Sequence, residues 1–340
     1  MLTCKIGELA DKIFPFVDVD IPVCVAGWTG IGKTEIISGP LMHMIEHKYG
    51  PSVLHDIRFA QRDPVDASGV PIVDKEKLQT LWTRPGLIPH DDGKMHVFYF
   101  GEAGHIDPMR QHVLYQPVNE RAMGGYAFPK LNRVILDMNT REDKGSDLQL
   151  LKPFQARMLH VFAELDHAGW LRYQKERDCD RRLIAFLKLK GEYMHYMLKR
   201  DNDGRVIEPN GPAFPTPRSI ERIDRLHKAG YPNDVIVDGA RGLCGEAFAR
   251  DYALFLKHLA DNLPKLSEIR ANPTGAKVPS DLDEQWLIAG SVAHAITAAD
   301  AHVWAQYLAR LAADIAARAA HTAIQKTPSL GNIKALTDLR

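Results

Sequence analysis

The residues with the clearest chemistry are Gly27-Trp28-Thr29-Gly30-Ile31-Gly32-Lys33-Thr34. Glycine, four residues, then Gly-Lys-Thr is the spacing that lets backbone N–H groups wrap a β-phosphate. A helix beginning there adds the positive end of its dipole. Lys33 is placed to bridge the β- and γ-phosphates, and the Thr34 hydroxyl to hold Mg²⁺. ATP and Mg²⁺ are therefore the expected ligands; the bland alternative is an unrelated Gly-rich turn. Such a site also needs a carboxylate at the end of a neighbouring strand. Val97-Phe98-Tyr99-Phe100-Gly101-Glu102 supplies it, with Glu102 set to polarise the attacking water unless it merely caps the strand. The position before it, where an aspartate directed at Mg²⁺ would stand, is Gly101.

These residues need a scaffold, and the chain predicts one. Ile21–Ala26 is a short apolar run, as in a strand buried on both faces. Lys33 to about His47 reads as a helix that Pro40 should bend or interrupt. Val97–Phe100 and Arg133–Met138 are further buried strands. Strands alternating with helices imply an α/β fold with a mainly parallel sheet covered on both faces. The Pro- and Gly-bearing stretch Asp63–Gly93 reads as an excursion from that sheet. Beyond about residue 165 the pattern turns helical, for example over Arg181–Arg200 and Glu246–Leu263. Turn-rich breaks fall at Asp201–Pro217 and Asn272–Ser280, and Ala-rich Gln285–Ile324 predicts one or two packed helices.

Composition narrows the class without naming it. The chain has 340 residues, 45% apolar and 25% charged, enough for about two units of 100–200 residues each. Lys plus Arg (43) equals Asp plus Glu (43), so the overall field gives no pull toward nucleic acid or an anionic membrane. The four cysteines are too far apart for a zinc knuckle or a disulfide framework, and Cys24 reads as a small core residue. No segment has the length or apolarity of a membrane span or a signal peptide. A soluble, cytoplasmic protein is expected.

Val97–Pro129, with its carboxylate strand, Glu120-Arg121 and the turn Met123-Gly124-Gly125-Tyr126, resembles the corresponding region of MoxR-type AAA+ ATPases. The resemblance continues through Val134–Asn139, Leu151–Arg157 and Phe214–Ser219, and covers about residues 15 to 265. It implies a P-loop αβα sandwich with a parallel five-stranded sheet, followed by an α-helical lid. On that likeness residues 1–165 form the ATPase domain, with an insertion near 63–93 and a β-hairpin near 122–133. Residues 166–270 form the lid and 271–340 a C-terminal helical extension. The likeness also implies a homo-oligomer, a hexameric ring with ATP between neighbours. Asn139 matches the sensor 1 position, Arg157 the arginine pointed into a neighbour's site, and Arg218 the lid arginine that senses the γ-phosphate. Arg121 is a reserve for the trans-acting role. The expected work is remodelling of a protein client, with a von Willebrand factor A-domain partner implied by the family; a nucleic-acid partner is left open. The rival reading is a weakly hydrolysing structural or DNA-associated module.

Gly101 departs from the pattern. Asp137 lies two residues before Asn139, so both side chains should share one face of their strand. In the AAA+ strand order that strand lies beside the one ending at Glu102, and Asp137 is the candidate carboxylate for Mg²⁺ alongside Thr34. An unrelated buried contact, or a pairing with Lys33, is the alternative. His43 and His47, four apart without the intervening glutamate of a zinc protease, read as a surface helix; Tyr193, His195 and Tyr196 read as packing. Lys175, Arg177, Arg181 and Arg182, interleaved with acids, read as a solvated face.

Overall fold

The computed structural model describes residues 2–63, 65–106, 111–140, 150–199, 206, 207, 209 and 211–339. Residues 107–110 of the family-like stretch, Arg200, and residues 201–205, 208 and 210 of the 201–217 break lie outside them. The strands are β1 (Leu2–Lys5), β2 (Val23–Gly27), β3 (Ser52–Ile57), β4 (Pro71–Asp74), β5 (Gln79–Trp82), β6 (Met95–Phe100), β7 (Ala122–Met123), β8 (Tyr126–Ala127), β9 (Asn132–Met138) and β10 (Leu159–Glu164). Six of them form one parallel sheet in the order β1-β10-β2-β9-β6-β3. The α/β class holds, but the sheet has six strands and not five. The extra strand, β1, pairs along the outer edge of β10 and is too short to show a period.

Strand alternation sorts the core into two layers. Val23, Val25, Val97, Tyr99, Ile135 and Val161 face the helix Leu9–Asp18 and the residues Ile37, Leu41 and Ile45. Cys24, Phe98, Phe100, Val134 and Leu136 face the other way, onto Leu114, Val118 and Phe154. Each fully buried ring or aliphatic side chain contributes about 1.5–3 kcal/mol of hydrophobic stabilisation. The helix after the P-loop runs as Lys33–Ile36, a π-turn at Ile37–Leu41 and a helix at Met42–Tyr49. Pro40 has no N–H to give the ladder, and the wider turn absorbs that loss. His43 and His47 are exposed on it. The stretch after Asp63 leaves the main sheet as a separate antiparallel hairpin, β4–β5, with Val73 and Leu78 turned outward.

Backbone contacts divide the chain into Met1–Trp170 with Thr216–Arg218, and Leu171–Pro215 with Ser219–Arg340. Every sheet strand belongs to the first unit. In the second, Phe186 is fully buried against Tyr193, Phe248 and Tyr252. Tyr193, His195 and Tyr196 are buried packing residues. The helix expected over Arg181–Arg200 ends at Leu189, before Gly191, and continues as two short 3₁₀ turns. The Ala-rich segment forms three helices, Leu282–Ala295, Ala301–Leu308 and Ala313–Lys326, where one or two were expected. Their small residues pack with Ile269, Trp304, Tyr307 and Leu336 in an apolar cluster of their own. Among the described residues no helix is long and apolar enough to cross a membrane.

The second unit also buries a polar chain. His227 Nδ1 accepts from Arg182 at 2.8 Å, so its Nε2–H donates to the Tyr252 hydroxyl at 2.7 Å. Burial first, with Arg182 adding, holds the His227 pKa below its usual value against the pull of Asp180 and Asp224. A histidine kept neutral in the fold but free to protonate when unfolded stabilises the fold above its unfolded pKa. That stability is lost as the pH falls through it. The urea midpoint should therefore drop between pH 7.5 and pH 5.5, and His227→Gln should remove part of that drop. An identical pH dependence in the variant would exclude His227 as a source.

Candidate nucleotide site

The phosphate loop leaves β2 at Gly27, where a Cβ would lie 2.8 Å from the Ala163 carbonyl on β10, so only glycine allows that strand spacing. Gly30 and Gly32 take positive φ, 69° and 104°, and Gly32 caps the helix that starts at Lys33. A Cβ on Gly30 would come within 3.1 Å of Thr216, which packs on the loop within the same unit. Ile31 anchors the loop in the core, while Trp28 and Thr29 are half-buried beside it. The Lys33 ammonium donates to the Gly27 carbonyl (2.8 Å), the Trp28 carbonyl (3.0 Å) and Asn139 Oδ1 (2.9 Å). All three of its protons are thereby directed across the loop and onto the neighbouring strand.

Behind the loop runs a second chain of contacts. The Thr34 hydroxyl lies 3.1 Å from the Tyr99 phenol, which itself hydrogen-bonds to Asp137. Because the phenol gives its proton to the carboxylate, Thr34 donates to the phenol oxygen. Asp137 Oδ1 also accepts the backbone N–H of Glu102 at 2.8 Å. Burial pushes the Asp137 carboxyl upward, and Lys33, the Glu102 N–H and Tyr99 pull it back toward the charged form. Among the described residues, Asp137 is linked to Thr34 through the Tyr99 phenol.

Two further residues fill the space beside Gly101. Asp56, paired in register with Tyr99, has Oδ1 3.4 Å from where a Cβ on Gly101 would begin. Arg58, just past the end of β3, donates to Asp56 at 3.2–3.3 Å and to Glu102 Oε1 at 2.7 Å. Glu102 itself sits at φ 59°, a left-handed conformation uncommon for a non-glycine residue. Its carboxylate is held by a guanidinium and is not open to water alone. The pair is part-exposed, so it is worth no more than about 1 kcal/mol. That leaves it easy to break.

The expected site residues therefore fall into two sets. Gly27 to Thr34, Glu102, Asp137 and Asn139 converge at one end of the sheet. Arg157 stacks over Tyr115 at 5.5 Å and donates to the Pro153 carbonyl, and Arg218 is exposed at the start of its helix. Among the described residues, no hydrogen bond or ion pair joins Arg157 or Arg218 to Glu102. Arg121, the reserve candidate, is bound to Asp20 at 2.9 Å and to nearby backbone carbonyls of its own chain. Tyr99, Asp56 and Arg58 were not anticipated. The signal was present for the last two, in a His-Asp-Ile-Arg run that ends a strand, but that strand has mixed polarity.

No family model matches this sequence, and no curated protein does. Among solved structures, the chain is similar to NtrX from Brucella abortus, at 12% identity with a TM-score of 0.38 over 98% of this chain and 68% of that one. A structure of NtrX in complex with ADP gives 13% identity and a TM-score of 0.39, over 96% and 68%. A structure from Cytophaga hutchinsonii, proposed to be an ATPase, gives 12% and 0.35, over 66% and 74%. Likeness at this level assigns no activity.

Proposed function

We propose that this chain is a MoxR-like AAA+ ATPase that binds ATP with Mg²⁺ at the Gly27–Thr34 loop and hydrolyses it in a ring of copies to remodel a partner protein. One observation supports this most: the Lys33 ammonium and the Asn139 amide meet at 2.9 Å across adjacent strands, at the mouth of a glycine loop. Phosphate oxygens entering the loop would take over the carbonyl-bound protons of Lys33 and meet the loop N–H groups. Glu102, freed from Arg58, would accept a proton from the attacking water. Asn139 would orient that water, and Arg157 of a neighbouring copy would meet charge developing on the phosphate. Arg218 would sense the γ-phosphate, and a protein client, with a von Willebrand factor A-domain protein among the candidates, would receive the work.

The residues present suit Mg²⁺, with one change from the expected set. Thr34 offers its hydroxyl, and Asp56 offers the accessible carboxylate beside Gly101, while buried Asp137 bonds Tyr99, whose phenol meets Thr34. The ion would neutralise charge on the β- and γ-phosphates. The test is Mg²⁺-dependent ATP turnover across a protein concentration series. Turnover per chain should rise with concentration, and Asp56→Asn should lower it and weaken Mn²⁺ binding measured by electron paramagnetic resonance. Adding Gly101→Asp to that variant should restore both. Bound ATP with no turnover at any concentration would sink the motor reading. A second reading, a nucleotide-switched module with slow turnover, is favoured by the Arg58–Glu102 pair.

A further inference from the structure

At the base of the β4–β5 hairpin a cleft of about 340 Å³ opens between the segments 62–70 and 83–87. Arg62 lines it from the first segment and Arg84 from the second, with Asp66 beside them. Arg84 donates to the Pro89 carbonyl at 2.5 Å, and the Arg62 side chain makes no hydrogen bond among the described residues. Among those residues, no carboxylate stands within ion-pair distance of either guanidinium. Two planar forks, each matched to a carboxylate, thus share one cleft with a single acid.

Close backbone contacts hold the cleft in shape. Gly69 takes φ 79°, and a Cβ there would collide with the Thr83 carbonyl. The Thr83 N–H donates to the Val70 carbonyl at 2.9 Å, and its hydroxyl accepts the Val70 N–H at 2.8 Å. Gly124, in the β7–β8 turn, packs so near that a Cβ would come within 2.8–2.9 Å of the Ala67 and Ser68 carbonyls and the Pro85 ring. The Tyr126 hydroxyl donates to the Trp82 carbonyl at 2.5 Å. The hairpin beyond has no such cover. Ile72 and Leu81, paired in register on one face, are 54% and 47% exposed. Val73 and Trp82, on the other face, are 67% and 49% exposed. Among the described residues, neither outer edge of this two-stranded sheet pairs with a third strand.

We infer that the cleft and hairpin bind the C-terminal end of an extended, apolar polypeptide, with its terminal carboxylate seated between Arg62 and Arg84. The charges select the end of a chain over an acidic side chain. A terminal carboxylate has its own residue's amide N–H close by, so the two guanidiniums take the oxygens while Asp66 accepts the N–H. A glutamate side chain brings its oxygens on bare methylenes, and Asp66 would only repel it. A small free carboxylate would fill the cleft but leave the apolar hairpin in water. A peptide strand covers those side chains and pairs with an open edge. That the peptide belongs to a remodelled partner rests on the function proposed above; the cleft itself needs no ATP and is tested without it.

The test is fluorescence anisotropy of a labelled peptide of about ten residues, rich in valine and isoleucine, titrated with the full chain without ATP. The free acid should bind about tenfold or more tightly than the C-terminal amide of the same peptide. Arg62→Gln should weaken the free acid about fivefold, the size of one part-exposed ion pair, and leave the amide unchanged. Lys75→Gln removes the same charge from the same hairpin outside the cleft and should change neither. Ile72→Ser/Leu81→Ser, at exposed positions that do not hold the core, should weaken both forms equally. Equal binding of acid and amide, or equal losses from Arg62→Gln and Lys75→Gln, would overturn the inference. So would wild-type protein that binds neither form, or an amidated peptide with an internal glutamate that binds as tightly as the free acid. Selective binding of the free acid by a chain that turns over no ATP would support the cleft and tell against the motor alone.

Discussion

Replacing Lys33 with alanine is expected to weaken ATP binding about 100-fold or more. The proposed site gives this ammonium two charge-assisted contacts to phosphate, each worth about 1.5–3 kcal/mol, and 1.4 kcal/mol is tenfold in affinity. The same substitution removes the cation that offsets burial of Asp137, so the fold should also lose stability. Calorimetric titration with ATP and a melting curve separate the two effects. Undiminished ATP affinity in a folded variant would mean that the loop does not cradle phosphates, whatever its glycines suggest.

The next largest effect should come from Glu102→Gln. Glutamine keeps the shape and can still accept from Arg58, but it cannot take a proton from water. Turnover should fall about 10²–10⁴-fold while ATP affinity is retained. Arg58→Ala is the informative companion, because it removes the partner that holds Glu102 at 2.7 Å. If that contact restrains the carboxylate, turnover rises; if Arg58 instead meets phosphate charge, turnover falls. A Glu102→Gln enzyme with wild-type turnover would place the general base elsewhere.

How much of this could be read in the residues depended on burial. β2, β6 and β9 are largely buried and carry continuous apolar stretches, Val23–Ala26, Val97–Phe100 and Val134–Leu136, so they and the loop between Gly27 and Thr34 were legible. β3 and β10 read as Ser-Val-Leu-His-Asp-Ile and Leu-His-Val-Phe-Ala-Glu, half-exposed and mixed in polarity, and gave no such signal. With β3 unseen, neither Asp56 nor Arg58 could be placed against Gly101. Tyr99 was seen as a core strand residue. That its hydroxyl end reaches Thr34 depends on how the helix Lys33–Ile36 lies against the sheet, which periodicity does not fix. The shared face of Asp137 and Asn139 was legible, because strand periodicity fixes it. Which groups would intervene between Asp137 and Thr34 was not.

The four cysteines are all free and buried, and burial raises the thiol pKa of each, to about 12 at Cys24 and Cys244. Since the thiolate is the reacting form, the folded chain is a blank background for thiol-directed probes. A single cysteine introduced at the tip of the β4–β5 hairpin, where Leu78 is 91% exposed, would carry a label alone. The native thiols would then report separately, reacting only when a part of the chain opens. The same molecule thus offers one address for watching the hairpin meet a client and four internal clocks for local unfolding.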